Sequence, residues 1–271
     1  MGDLNLEEKA RLAITESVCS LTVAVDVSLA ANESGWGTGS LIEINKRFFV
    51  LTCKHVVKSS YQNADLRFLF RPEGSLIDAH KDRVKHTPIQ ILSKISTKSY
   101  AQTLPLINRF YSDSDDDLAL LEIDSSAKEI KDLIFFNLNK GSILPAEPNT
   151  PTYMFGFSVE LARMVDKQGV AVFHYFLGSG VIEPKADYAE FDPQRHFLVD
   201  FTLDEEAARP NGLSGCGVWA RLPSGKDNLW TPNLYFIGVQ SAFYPNGREG
   251  QPIKATKAER VLQLAKDNGI I

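Results

Sequence analysis

Ser214 stands between Gly212 and Gly215 in the segment PNGLSGCGVWA, residues 210–220. A serine flanked in this way is a candidate nucleophile on a tight turn. The same pattern also makes an ordinary Gly-Ser turn entering a strand. A hydroxyl is a weak nucleophile alone. It needs a histidine within hydrogen-bond reach as base, and an acid that fixes the histidine tautomer. Of the five histidines, His80 and His86 lie in a polar, charged stretch, His174 lies inside a strand pattern, and His196 precedes a strand beside Arg195. A lone histidine is as a rule structural. His55 differs by context, because in VLTCKHVV (50–57) it follows a strand that would present it. The acid could be any member of DSDDD, residues 113–117. Asp117 abuts LALLEI directly, and a residue at a strand mouth can turn inward. Asp115 and Asp116 read as loop residues.

Two cysteines offer further donor atoms. Cys216 is best taken as a small buried side chain at a strand start. Cys53 and His55 form a conceivable metal pair, but no further ligands follow at zinc-like spacing, so no metal and no cofactor is expected.

These residues need a scaffold. The chain has 271 residues, of which 44% are hydrophobic and 23% charged, as in a soluble globular protein with a sizeable core. A net charge of −5 and a pI near 5.6 argue against nucleic acid as a partner. No apolar run approaches the roughly 20 residues that cross a bilayer, so no membrane partner is expected. The start, MGDLNLEEKARL, lacks the order of a signal peptide. Its Met-Gly opening is discounted as a myristoylation site, because Leu6 stands where Ser or Thr belongs. Three cysteines are too few for a disulfide framework, and a cytoplasmic protein with reduced thiols is expected, with a mature secreted form as the alternative.

Helix formers over 4–17, with Leu4, Leu6, Leu12 and Ile14 apolar, predict a short N-terminal helix. LTVAVDVSLA (21–30) alternates at a period of two, as a half-buried strand does. NESGWGTG (32–39) then reads as a turn before SLIEI and FFVLT, a hairpin. Further strands are expected at LRFLF, IQILS, LALLEI (118–123), TYMFGF (152–157), VAVFHYFL (170–177), HFLVDF (196–201), CGVWA (216–220) and LYFIGVQSAF (234–243). ATKAERVLQLAK (255–266) carries Ala258, Val261, Leu262 and Ala265 at helical spacing. Many short strands and no βαβ alternation make an all-β barrel protein.

GTGSLIEI, VLTCKHVV, DLALLEI, NGLSGCGV and FIGVQSAF occur in that order. The set resembles the trypsin-like serine peptidases of the chymotrypsin fold, most nearly the bacterial HtrA/DegP branch, over about residues 35–243. The resemblance implies a double β-barrel with short terminal helices. The expected division is an N-terminal helix (1–18), a first barrel with His55 and Asp117 (19–143), a second barrel with Ser214 (144–250) and a C-terminal helix (251–271). It implies His55 as general base, Asp117 as its orienting acid and Ser214 as nucleophile. The N–H groups of Gly212 and Ser214 would form the oxyanion hole. Ala208 would floor the specificity pocket, with Gln240, Ser241 and Ala242 as its wall. That uncharged floor favours a small or medium apolar side chain of a protein or peptide substrate.

Leu213 stands where zymogen-activated members carry an aspartate, so activation by a newly cut N-terminus is not expected. No PDZ-like region is expected after the peptidase domain. Free proteolysis in the cytoplasm would harm the host, which points to narrow specificity or to latency relieved by a regulatory protein partner. The alternative is a pseudo-peptidase that keeps the fold as a protein-binding module. A β-sandwich with chance Gly-Ser turns explains the serine but not the ordered set.

Overall fold

The computed structural model describes residues 17–18, 20–28, 34–57, 66–69, 93–96, 101–102, 106–127, 130–131, 133–157, 170–178, 180–184, 187–200, 212–221, 234–244 and 252–271. In chain order the strands are β1 (Thr22–Ser28), β2 (Ser34–Ile44), β3 (Arg47–Cys53), β4 (Leu66–Leu69), β5 (Ser93–Ser96), β6 (Ala101–Gln102), β7 (Leu106–Asp113), β8 (Leu118–Ile123) and β9 (Phe136–Asn137). They continue with β10 (Thr152–Phe157), β11 (Val170–Gly178), β12 (Gly180–Ile182), β13 (His196–Asp200), β14 (Gly217–Arg221), β15 (Leu234–Phe243) and β16 (Ile253–Lys257). Two helices enter the argument, the single turn α1 (Lys54–Val57) and α2 (Ala258–Asp267).

The strands form two curled sheets. One runs β6-β4-β1-β2-β3-β8-β7 with β9 beside β2, and the other runs β12-β13-β16-β15-β14-β10-β11-β5. Pairing is antiparallel apart from the short β2–β9 contact. The mostly β architecture matches the expectation.

The cores explain why the strands read as near-continuous apolar runs. Successive residues of a strand face opposite sides of its sheet. On β3 and β8, Val50, Ala119, Leu121 and Ile123 join Val23, Val25 and Leu41 in one core. Their neighbours Phe49, Leu51, Cys53, Leu118 and Leu120 join a second core with Phe155, Trp219, Phe236 and the α2 residues Val261, Leu264 and Ala265. A third core holds Met154, Val199, Leu213, Val218, Ile237 and Ile253. Each sheet thus encloses its own core, and the second core lies between them under α2. Strands buried on both faces lose polar alternation, as all six residues of β8 do.

Several elements differ from the sequence reading. The expected turn at 32–39 is mostly strand, since β2 begins at Ser34. Its glycines serve close approach: a Cβ at Gly37 would overlap the Val56 side chain. The closing helix begins at Ala258 rather than 255, because Ile253–Lys257 pairs with both β13 and β15. The segment given to a terminal helix, 251–271, thus contributes a central strand. β5 lies within 19–143, yet it pairs with β11 in the second sheet. The N-terminal helix expected over 4–17 lies, but for Ser17, outside the described residues.

Candidate active site

Register brings the first two chemical groups together. In the β3–β8 pair, Cys53 lies opposite Leu118. His55 follows β3 and Asp117 precedes β8, so both leave the same end of the sheet. Asp117 closes the turn with φ at 52°, a left-handed conformation that a non-glycine residue rarely adopts. Lys54 N–H donates to the Asp117 carbonyl at 3.0 Å, and His55 N–H donates to Asp117 Oδ1 at 3.0 Å. The other carboxylate oxygen, Oδ2, lies 2.6 Å from His55 Nδ1. A carboxylate only accepts, so Nδ1 carries a proton, and a neutral ring would hold its lone pair on Nε2. The His55 side chain is half exposed.

The turn of Ser214 is held against this same sheet end. Thr38 N–H donates to the Ser214 carbonyl at 2.9 Å, and Thr38 Oγ1 donates to the Gly212 carbonyl at 2.7 Å. Thr52 Oγ1 in turn donates to the Thr38 carbonyl at 2.7 Å. Gly215 N–H donates to the Gln240 carbonyl at 2.9 Å. Gly212 and Gly215 have φ of 97° and 92°. A Cβ at Gly215 would overlap the Thr38 carbonyl and Thr52 Oγ1, and would stand 3.0 Å from Cys53 N. Only glycine lets the backbone beside Ser214 meet the end of β3, two residues before His55. Among the described residues, no acceptor is bonded to the N–H of Gly212 or Ser214.

Leu213 is fully buried in the core of the second sheet. Cys216 is likewise buried, and burial pushes its thiol pKa upward. Gln240 is buried, and its Nε2 donates to the Ala242 carbonyl at 3.2 Å, so its side chain folds back along its own strand. Ser241 Oγ faces the Lys254 carbonyl of β16 at 3.4 Å. Ala208 lies outside the described residues, as do His80 and His86.

Two contributors were missed in the sequence. Thr38 ties down the Ser214 turn, and its only signal was the small-residue run Gly37-Thr38-Gly39. Asp116 belongs to the loop as expected, but it is 1% exposed rather than solvated. Arg195 Nε donates to its Oδ1 at 2.6 Å, and Arg260 Nε donates to its Oδ2 at 2.7 Å. Thr256 Oγ1 donates to its carbonyl at 2.9 Å. The turn carrying Asp117 is thereby clamped to β16, to the residue before β13 and to α2.

His196 is structural. It is buried, and its Nδ1 accepts the Asp192 N–H at 3.0 Å, which requires a neutral ring. Burial first, then the charges of Lys254 and Arg195, push its pKa from 6.5 down to about 4, against the pull of Asp116 and Asp192. As pH falls the unfolded chain takes the proton first. This contribution to stability is therefore complete above about pH 6.5 and is lost between there and about pH 4. Thermal melts across that window should fall more steeply for the wild type than for His196→Gln. Parallel curves would mean that His196 is not the group responsible.

A third ligand atom also stands beside the pair. Cys53 Sγ, a ring nitrogen of His55 and a carboxylate oxygen of Asp117 all lie within 4.8 Å of one another. Sequence spacing alone gives the Cys53–His55 pair no further ligand. The third arrives through strand register, which sequence spacing conceals.

No protein-family model and no curated protein matches the sequence. Solved structures do match. A structure of GrC is 14% identical, covers 93% of this chain and 95% of its own, and superposes with a TM-score of 0.57. The scabies mite inactivated protease paralogue SMIPP-S-I1 is 17% identical over 93% of this chain and 95% of its own, with a TM-score of 0.53. HL collagenase is 17% identical over 93% of this chain and 94% of its own, with a TM-score of 0.56.

The fold is the chymotrypsin fold.

All three are chymotrypsin-fold serine protease structures. The two curled sheets are thus the two barrels of that fold, and likeness at these identities extends to the fold alone. One of the three is an inactivated paralogue, so the chymotrypsin fold by itself carries no activity. Among the described residues no helix is long and apolar enough to cross a membrane.

Proposed function

We propose that the protein is a serine endopeptidase acting through an acyl-enzyme. The single observation that carries this reading is the 2.6 Å contact between His55 Nδ1 and Asp117 Oδ2, which orients the ring so that Nε2 of a neutral imidazole can act as the base. Ser214 Oγ attacks a peptide carbonyl while His55 Nε2 takes its proton. Asp117 stabilises the imidazolium that forms. The carbonyl oxygen, becoming an oxyanion, accepts from the N–H groups of Gly212 and Ser214. His55 then protonates the leaving amine, and water repeats the sequence in reverse roles on the acyl-enzyme.

The ordered motifs support a likeness to the bacterial HtrA/DegP branch. Ala208, Gln240, Ser241 and Ala242 would select a small or medium apolar side chain. Leu213, buried and uncharged, offers no partner to a newly cut N-terminus, which supports activation by other means. A cytoplasmic setting and control by a protein partner complete the reading.

The test is covalent labelling with a fluorophosphonate probe. The wild-type chain should be labelled, peptide mapping should place the label on Ser214, and Ser214→Ala should not be labelled. Wild-type protein that stays unlabelled both pure and in cell lysate would instead favour a non-cutting binding module.

A further inference from the structure

We propose that Cys53, His55 and Asp117 form a zinc-binding site whose occupation reversibly silences the peptidase. The silencing rests on the function proposed above; the site itself rests on geometry. The three donor atoms already lie within 4.8 Å of one another. In a tetrahedral zinc site with bonds of about 2.0–2.3 Å, ligand atoms stand roughly 3.3–3.6 Å apart. His55 Nδ1 and Asp117 Oδ2, now at 2.6 Å, would part by about an ångström. Cys53 Sγ would leave the Gln240 carbonyl, which it now meets at 3.1 Å. Thiolate, imidazole and carboxylate make a donor set that suits zinc, and three protein ligands leave a fourth position for water.

The path for the ion is also present. His55 and Asp117 side chains are 50% and 30% exposed, whereas Cys53 is fully buried. The ion reaches imidazole and carboxylate from solvent and the thiol from within the site. The proposed peptide hydrolysis gives this thiol no role. A thiol that coordinates a bound dication loses its proton outright.

The step balances without any redox change. The thiol proton goes to solvent and a sulfur–zinc bond forms. The Nδ1–zinc bond displaces the Nδ1 proton, and the imidazole stays neutral by carrying its proton on Nε2 instead. An Nε2–H cannot accept the proton of Ser214, so the base is lost while the fold is untouched. The thiolate and carboxylate together balance the charge of the ion.

The experiment uses the full chain after removal of metals with a chelator. Cobalt(II) should produce a thiolate-to-cobalt charge-transfer absorption, and zinc should abolish it by displacement. Zinc should also slow fluorophosphonate labelling, and EDTA should restore it. Cys53→Ala should still be labelled without metal. It should need at least about a hundredfold more zinc for the same slowing, since even outer-shell partners are worth about 10- to 100-fold in affinity. Equal zinc sensitivity in Cys53→Ala and wild type would overturn the proposal. So would a wild-type cobalt spectrum without the thiolate band, a readout that holds even if the variant fails to fold. A thiolate band in a chain that is never labelled, pure or in lysate, would uphold the metal site and sink the peptidase reading.

Discussion

On the proposed function, replacing His55 by alanine should lower kcat for peptide hydrolysis by on the order of a million-fold, with little change in melting temperature. The two halves of this expectation have separate causes. On the proposed mechanism, base and nucleophile act as a unit, so losing either removes nearly the whole effect. The His55 side chain is half exposed and fills no core, and its backbone N–H still donates to Asp117 Oδ1 after substitution. Asp117→Asn should lose about ten-thousand-fold. An amide can donate to Nδ1, which drives the ring proton to Nε2 and spoils the base without disturbing shape. Rates on a peptide substrate beside thermal melts read both effects. Activity of either variant within about tenfold of wild type would remove His55 from the proposed chemistry.

Asp116→Ala should lower stability by about 3–5 kcal/mol, the range for removing one partner of a buried ion pair. For a chain of this size that corresponds to a melting temperature lower by roughly 10 °C. Two guanidinium groups converge on this carboxylate, and Arg195 and Arg260 side chains are only 24% and 32% exposed. Without Asp116 they would face each other half-desolvated and like-charged. The carboxylate holds Arg195 firmly in its charged form. Peptidase activity should fall as well, because the same turn sets Asp117. Wild-type stability in Asp116→Ala would show that the clamp contributes nothing, whereas Asp115→Ala, 78% exposed, should be near neutral.

Much of the scaffold was legible because its strands are short, apolar and bounded by turn residues. LALLEI, TYMFGF and LYFIGVQSAF became β8, β10 and β15 with the expected bounds. β16 was not legible. IKATK alternates Ile253 and Ala255 with polar residues over only four positions, and those polar residues are themselves buried by specific partners: Lys254 Nζ donates to the Glu190 carbonyl at 3.3 Å, and Thr256 Oγ1 donates to the Asp116 carbonyl. Helical spacing in the residues that follow then drew the helix boundary too early. The contact between His55 and Asp117 was legible only through the order of motifs. The clamp on Asp116 was hidden because a run of acids looks solvated from sequence alone. Its arginine partners lie 79 and 144 residues further along the chain. The approach of Asp117 to Cys53 was hidden for a related reason, since register, not spacing, brings the two together.

The distances along the chain that the site spans have a kinetic meaning. Its hydrogen bonds join residues 62 apart at His55–Asp117, 174 apart at Thr38–Gly212 and 187 apart at Cys53–Gln240. Loops of that length close late and only with the support of formed sheets. A growing chain carries His55 and Asp117 long before β15 exists to hold the turn of Ser214. Partly folded or partly unfolded molecules therefore possess the side chains without the constellation. On the proposed function, assembly of the last strands would act as a safety catch on the chemistry, one that releases only when those strands are in place.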